Sequence, residues 1–261
     1  MQHVLVPGSG NSCGEKRAGT PAPHRESHSM HALDNVIWQA LTTRQAKFAE
    51  ASGMARRFVR EVTSLSAFDE PSDEGYAALA NLVGADGVAA VFLDHEYEAR
   101  AGWDRIGGAP LVQMVCENGG GSTTSNGSAE IVELGVRDSP EMVALTALTK
   151  PGPFGTRTHE LGHYVGIRKE GKLAAMAGER LKVPGYTEVS AVCTHPDYLG
   201  RGYAGALMTE IMRRIRERGE TPFLHVRADN TRAIALYERL GFGIRHRGYF
   251  AVLQRSVGDS L

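Results

Sequence analysis

The sequence predicts an α/β (α+β) protein, with the clearer pattern in its C-terminal half. Three observations carry this. Short apolar runs alternate with amphipathic helical stretches from residue 131 to residue 253. A glycine-rich bend joins one of those strands to the longest amphipathic helix. A glycine- and serine-rich stretch, Asn118-Gly-Gly-Gly-Ser-Thr-Thr-Ser-Asn-Gly127, separates this half from a smaller α/β region before it.

Residues 1–29 are rich in Gly, Pro, Ser and His and lack apolar periodicity. They cannot bury enough surface to offset their ordering entropy, so a disordered tail is expected. Residues 30–127 follow as an N-terminal α/β region. In it, Ser72-Asp73-Glu74 caps a helix through Tyr76, Leu79 and Leu82, and residues 88–93 and 111–116 are strands. Residues 128–261 form the main domain. Strand 131–136 comes first. Asp138-Ser-Pro-Glu141 then opens a helix with Met142, Leu145 and Leu148. A hairpin turns at Glu170-Gly171-Lys172, between strands 163–169 and 173–181. Strand 187–194 leads to helix 202–218, whose Ala204, Leu207, Met208, Ile211 and Ile215 make one stripe. Strand 223–227, helix 230–240 and strand 248–253 complete the domain.

Composition narrows the function classes. The chain has 261 residues, 29 basic against 30 acidic, and a formal net charge of −1, which gives no argument for nucleic acid or an anionic membrane as partner. No apolar run approaches the roughly 20 residues that span a bilayer. Three cysteines are too few for a disulfide scaffold or a multi-cysteine zinc site. A cytoplasmic protein is expected.

The most informative stretch runs Val192-Cys-Thr-His-Pro-Asp-Tyr-Leu-Gly-Arg-Gly-Tyr-Ala-Gly-Ala206. Gly200, Gly202 and Gly205 allow close backbone approach, and unpaired N–H groups at a helix start make an anion site. The Gly-Lys-Ser/Thr ending of a P-loop is absent. So is the acidic residue that a dinucleotide fingerprint needs after the next strand, Phe223-Leu-His-Val-Arg227. Downstream, Asn230 suits a helix N-cap and Gly241 a C-cap. Asn230 and Tyr237 lie about two turns apart on one face.

Together these two elements resemble the GNAT superfamily of acyl-CoA-dependent N-acyltransferases. The signature Gln/Arg-x-x-Gly-x-Gly/Ala aligns with Leu199-Gly200-Arg201-Gly202-Tyr203-Ala204, with Leu199 in the usual Gln/Arg slot. The resemblance implies a twisted mixed sheet in residues 128–261 and an acceptor site shaped by residues 30–127. It implies a pyrophosphate of acetyl-CoA on residues 199–205, pantetheine along Val192, Cys193 and Thr194, and Asn230 beside the cofactor. Tyr237 is then the acid that protonates the leaving thiolate, and Glu188 is the base for the amine. The expected reaction is acetyl transfer to a primary amine by direct transfer in a ternary complex. The acceptor is a small-molecule amine or an amino-acid-like one, and a homodimer is compatible with it. The alternative within the fold is a non-catalytic acyl-CoA sensor.

A third reading comes from His159-Glu160-Leu161-Gly162-His163, a literal H-E-x-x-H zinc-peptidase motif. That chemistry needs both histidines on one helical face. Here a Pro/Gly loop precedes the motif, a β-type pattern follows it, and Lys169 fills the third ligand slot of the longer pattern. The expectation is a loop entering a strand, with no metal. His159 and Glu160 then contact substrate, and Arg157 pairs with an acidic group on it.

Overall fold

The computed structural model describes residues 31–85, 87–117 and 129–256. The expected tail 1–29 and the glycine-serine stretch 118–127 lie outside the described residues. The chain enters through α1 (Val36–Thr42), which buries Val36, Ile37, Ala40 and Leu41. Three short strands follow, β1 (Ala49–Ser52), β2 (Ala55–Phe58) and β3 (Ser66–Phe68), forming a small antiparallel sheet. Helix α2 (Asp73–Val83) starts where Ser72 Oγ accepts the Gly75 N–H at 3.2 Å, the cap the sequence predicts.

The remaining strands build one sheet. They are β4 (Val88–Leu93), β5 (Trp103–Val115), β6 (Ile131–Leu134), β7 (Tyr164–Lys169), β8 (Lys172–Val183), β9 (Tyr186–Thr194), β10 (Thr221–Arg227) and β11 (Gly243–Arg255). Their order is β4-β11-β5-β10-β9-β8-β7-β6. The sheet is mixed: β9 and β10 are parallel and the other neighbours antiparallel. Strands from both sides of the expected boundary at 127/128 enter it, because β5 lies between β10 and β11. The β7–β8 hairpin closes through Glu170 (φ 51°) and Gly171 (φ 78°), two left-handed residues whose twist suits a two-residue turn.

Helices α3 (Ser139–Thr149), α4 (Tyr203–Glu217) and α5 (Thr231–Arg239) cover the sheet. On one face the stripe Leu207, Met208, Ile211, Met212 and Ile215 of α4 packs with Tyr237 of α5 and with Val165, Ala175, Val189 and Leu224. On the other face, α3 packs Met142 and Leu145 on Tyr164, Met176, Ala191 and Cys193. Beside it α1 covers Leu181, Val183 and Phe223. Among the described residues no helix is long and apolar enough to cross a membrane.

Candidate active site

The parallel pair β9 and β10 is joined for only three positions, Tyr186 with Thr221, Thr187 with Pro222, and Glu188 with Phe223. Beyond them β9 follows β8, pairing Ser190 with Gly178 and Cys193 with Met176. Strand β10 follows β5, pairing His225 with Gln113 and Arg227 with Leu111. Each strand keeps an outer partner and loses the inner one, so the sheet opens into a fork. A bulge on β9 accompanies the opening: two residues, Ala191 and Val192, stand opposite Ala177 alone. Ala191 has φ 52°, a conformation an L-residue holds at a cost of about 1–3 kcal/mol and one that concentrates at functional sites.

Backbone direction follows from one bond. The His195 N–H donates to Ala174 O on β8 at 2.8 Å. Along an antiparallel pair the hydrogen-bonding direction alternates, so Cys193 also turns its backbone to β8, while Val192 and Thr194 turn theirs into the fork. The Cys193 side chain packs on α3, and burial pushes its thiol up to about 11. It is a small strand residue rather than an activated nucleophile.

At the mouth of the fork, Leu199 leads into the bend. Gly200 (φ 77°) and Gly202 (φ 78°) are left-handed, which their lack of a Cβ permits. A Cβ built on either would meet no protein atom within 4 Å. Helix α4 begins at Tyr203, and its first bond from this end runs from the Ala206 N–H to Gly202 O. No described protein group accepts the N–H groups of residues 200–205. Six consecutive donors at the positive end of a 15-residue helix, with open space before them, fit a diphosphate. Leu199 is 55% exposed and brings no donor, so this cradle relies on backbone. The Arg201 guanidinium lies 5.2 Å from the Tyr198 ring centroid.

Asn230 caps α5 through Oδ1, which accepts the Ala233 N–H at 3.2 Å. Seven residues on, Tyr237 is buried against Phe242, and burial pushes its phenol up to about 12. At neutral pH it keeps its proton, and no described residue hydrogen-bonds its hydroxyl.

Glu188 stands at the apex of the fork and is 0% exposed. Its carboxylate accepts Arg180 Nε at 2.8 Å and Nη2 at 2.7 Å, the Leu181 N–H at 3.3 Å, and His225 Nδ1 at 2.7 Å. Burial alone pushes this carboxyl up. The Arg180 charge and the hydrogen bonds from Arg180 and His225 outweigh burial and hold it at about 2. A carboxylate so stabilised is a weak base, and its oxygens are taken by protein donors. Neither Arg180 nor His225 figures in the sequence reading. The one local signal is that His225 lies two residues past Phe223 and so shares its strand face.

The H-E-x-x-H segment is a 3-10 turn, Thr158–Leu161, stopped by Gly162 in extended backbone (φ 178°) just before β7. His159 and His163 therefore do not share a helix, and the zinc-peptidase geometry is not formed. Among the described residues no group of three or more His, Cys, Asp or Glu could hold a metal. Packing accounts for the turn. Thr158 Oγ1 donates to Val62 O, and Leu161 packs with Phe58, Leu181 and Phe223. His159 Nδ1 lies 3.1 Å from Thr156 O. Glu160 takes both Arg157 nitrogens at 2.6 and 2.8 Å, so Arg157 is engaged inside the turn.

Comparison with known proteins agrees with this geometry. A family model described as FR47-like protein matches residues 164–251, which hold β7 through most of β11. The N-alpha-acetyltransferase RimI of Mycobacterium tuberculosis is 41% identical over 93 residues, 33% of this chain and 58% of that one. The [ribosomal protein bS18]-alanine N-acetyltransferase of Escherichia coli is 38% identical over 77 residues, 29% of this chain and 51% of that one. The chain thus spans about half the length of these curated relatives. A solved structure from Novosphingobium aromaticivorans, described as a GNAT-family acetyltransferase, is 38% identical, with a TM-score of 0.79 over 87% of this chain and 100% of that one. With the fork, the free N–H cradle and this full-length likeness in agreement, the chain belongs to the GNAT family of acetyltransferases.

Proposed function

We propose that this chain transfers an acetyl group from acetyl-CoA to a primary amine, directly, in a ternary complex. The observation that carries the reading is the fork between β9 and β10 with its run of six unpaired N–H groups at one end. Residues 199–205 bind the pyrophosphate through the backbone, with Arg201 at its edge. Val192 and Thr194 offer their backbone to the pantetheine amides, and Cys193 lies between them. Asn230 lines the same channel at the start of α5. Acetyl-CoA supplies the activated thioester.

The chain's own part is to hold two reactants in line and to manage two protons. Tyr237, protonated at neutral pH, donates to the departing sulfur. The incoming amine must be neutral to attack. An α-amine has an ordinary pKa near 8, so roughly a tenth of it is free base at pH 7, and a strong base is not required. Glu188 then acts through the residues it holds and not by taking the proton itself. An α-amine is also what the names of the two curated relatives specify for those proteins. We take an amino-acid or peptide N-terminus as the acceptor class, with His159 and Glu160 at the edge of its pocket.

The test is thiol release from acetyl-CoA over a panel of peptides with different first residues, beside small amines and lysine side chains. Release with α-amine peptides in preference to lysine supports the reading. CoA binding without turnover on any amine turns it into a sensor.

A further inference from the structure

Five adjacent strands each give one polar side chain to a single hydrogen-bonded chain across the sheet. In strand order they are Arg245 on β11, Gln113 on β5, His225 on β10, Glu188 on β9 and Arg180 on β8. Arg245 Nη1 donates to Gln113 Oε1 at 2.8 Å. Gln113 Nε2 lies 3.0 Å from Leu33 O and 3.1 Å from His225 Nε2. His225 Nδ1 lies 2.7 Å from Glu188, which Arg180 grips from the other side. At the outer end Arg245 pairs with Asp34, just before α1. The link between His225 and Glu188 is the one that crosses the fork.

The donors and acceptors leave one solution. Arginine only donates, so the Gln113 oxygen must face Arg245. The Gln113 nitrogen then spends one proton on Leu33 O and points the other at His225 Nε2. That ring nitrogen must accept, so the imidazole proton sits on Nδ1 and is donated to Glu188. Both imidazole nitrogens and all the Gln113 and Glu188 groups that face them are then matched, with the ring neutral. A proton on Nε2 would set two N–H donors against each other at 3.1 Å. Gln113 cannot flip to relieve this, because its oxygen would then face the Leu33 carbonyl and its nitrogen Arg245.

We propose that His225 is a positioning residue of the transfer site: neutral and protonated on Nδ1, it ties β10 to β9 and fixes the width of the fork that receives the thioester arm of acetyl-CoA. The proposal rests on reading the fork as the acyl-CoA site. His225 acts through Glu188 and touches neither reactant. The groups facing it are Glu188 on β9, Arg180 on β8, Gln113 on β5, His246 on β11, and the rings of Phe92 and Phe223. Burial shifts the imidazole below its ordinary 6.5, in keeping with a ring that stays neutral.

Two measurements test this on the full chain. The first is nitrogen-15 NMR of the histidine rings at pH 7, with His225 identified by its absence from the His225→Asn spectrum. The expected ring is protonated on Nδ1 and bare on Nε2. A ring protonated on Nε2, or on both nitrogens, overturns the tautomer and with it the proposal. The second is acetyl-CoA KM and kcat in His225→Leu and His225→Asn, each checked for a cooperative melt. Leucine cuts the tie, and KM rises tenfold or more. Asparagine places an N–H where Nδ1–H stood, and it recovers most of that loss. A folded leucine variant with unchanged KM overturns the tie. A kcat loss above 100-fold in the asparagine variant also overturns it, because His225 would then be acting on the reacting atoms. Failure of the wild-type chain to bind acetyl-CoA at all overturns instead the fork reading underneath, so the two failures are distinguishable.

Discussion

Replacing Glu188 by glutamine changes shape very little and charge by one unit, so its effect isolates the electrostatics of the fork apex. The carboxylate is 0% exposed, and Arg180, itself buried, has its nitrogens 2.7 and 2.8 Å away. Glu179, the neighbouring buried acid, is already held by Lys182 and Arg218 and cannot replace it. Removing one partner of a buried pair costs about 3–5 kcal/mol, because the other charge is left in a poorly solvating interior. A second route gives a similar figure. Glu188 falls from an ordinary 4.5 to about 2, and at about 1.4 kcal/mol per pKa unit that is about 3–4 kcal/mol at neutral pH. For a domain of this size the corresponding fall in Tm is on the order of 6–20 °C. The sign with pH follows from the depressed folded pKa. The contribution is complete above about 4.5 and is lost as pH falls toward 2. Urea unfolding of wild type and Glu188→Gln at pH 7, 5 and 3 measures this. The gap between the two proteins should be full at pH 7 and narrow at pH 3. A gap under about 1 kcal/mol at pH 7, or one that does not shrink in acid, would refute the pairing as the source of the stability.

Two further expectations concern the transfer itself. Tyr237→Phe keeps the packing on Phe242 and removes one proton. We expect kcat to fall by about 10²–10⁴-fold while CoA affinity in a titration stays within twofold, since a proton delivered in the transition state does not enter ground-state binding; unchanged kcat would remove Tyr237 as the acid. Gly202→Asp puts a side chain and a negative charge in the open space before α4. It should abolish the rise in Tm that CoA produces, whereas Gly171→Asp, equally strained in backbone but in the β7–β8 turn, should keep it. A CoA response surviving in Gly202→Asp would take the diphosphate away from this helix start.

Local rules account for what could be read directly. The α2 cap at Ser72, the hairpin at Glu170-Gly171, the left-handed glycines before α4 and the cap at Asn230 all depend on residues within a few positions of one another. So does the stripe of α4, because helix period and burial coincide there. The same rules judged the H-E-x-x-H letters, since a proline-glycine loop before them and a glycine within them left no helix to carry two ligands. The small sheet of β1, β2 and β3 escaped them. Its strands are three or four residues long, too short for an alternation to emerge.

Local sequence specified the glycine bend that opens α4 and the α/β character of the chain, because glycine conformation, capping and apolar periodicity are encoded within a turn or two of backbone. The setting of Glu188, by contrast, is assembled from distant parts of the chain. Its partners Arg180, His225 and, through His225, Gln113 and Arg245 come from four other strands, up to 132 residues apart along the row, and meet because β5 enters the sheet between β10 and β11. A carboxylate's basicity is set by the charges and donors around it, and a sheet assembles those from strands whose order no local pattern specifies. The fork likewise needs tertiary context, since beyond Glu188 and Phe223 strand β9 bulges and follows β8 while β10 follows β5.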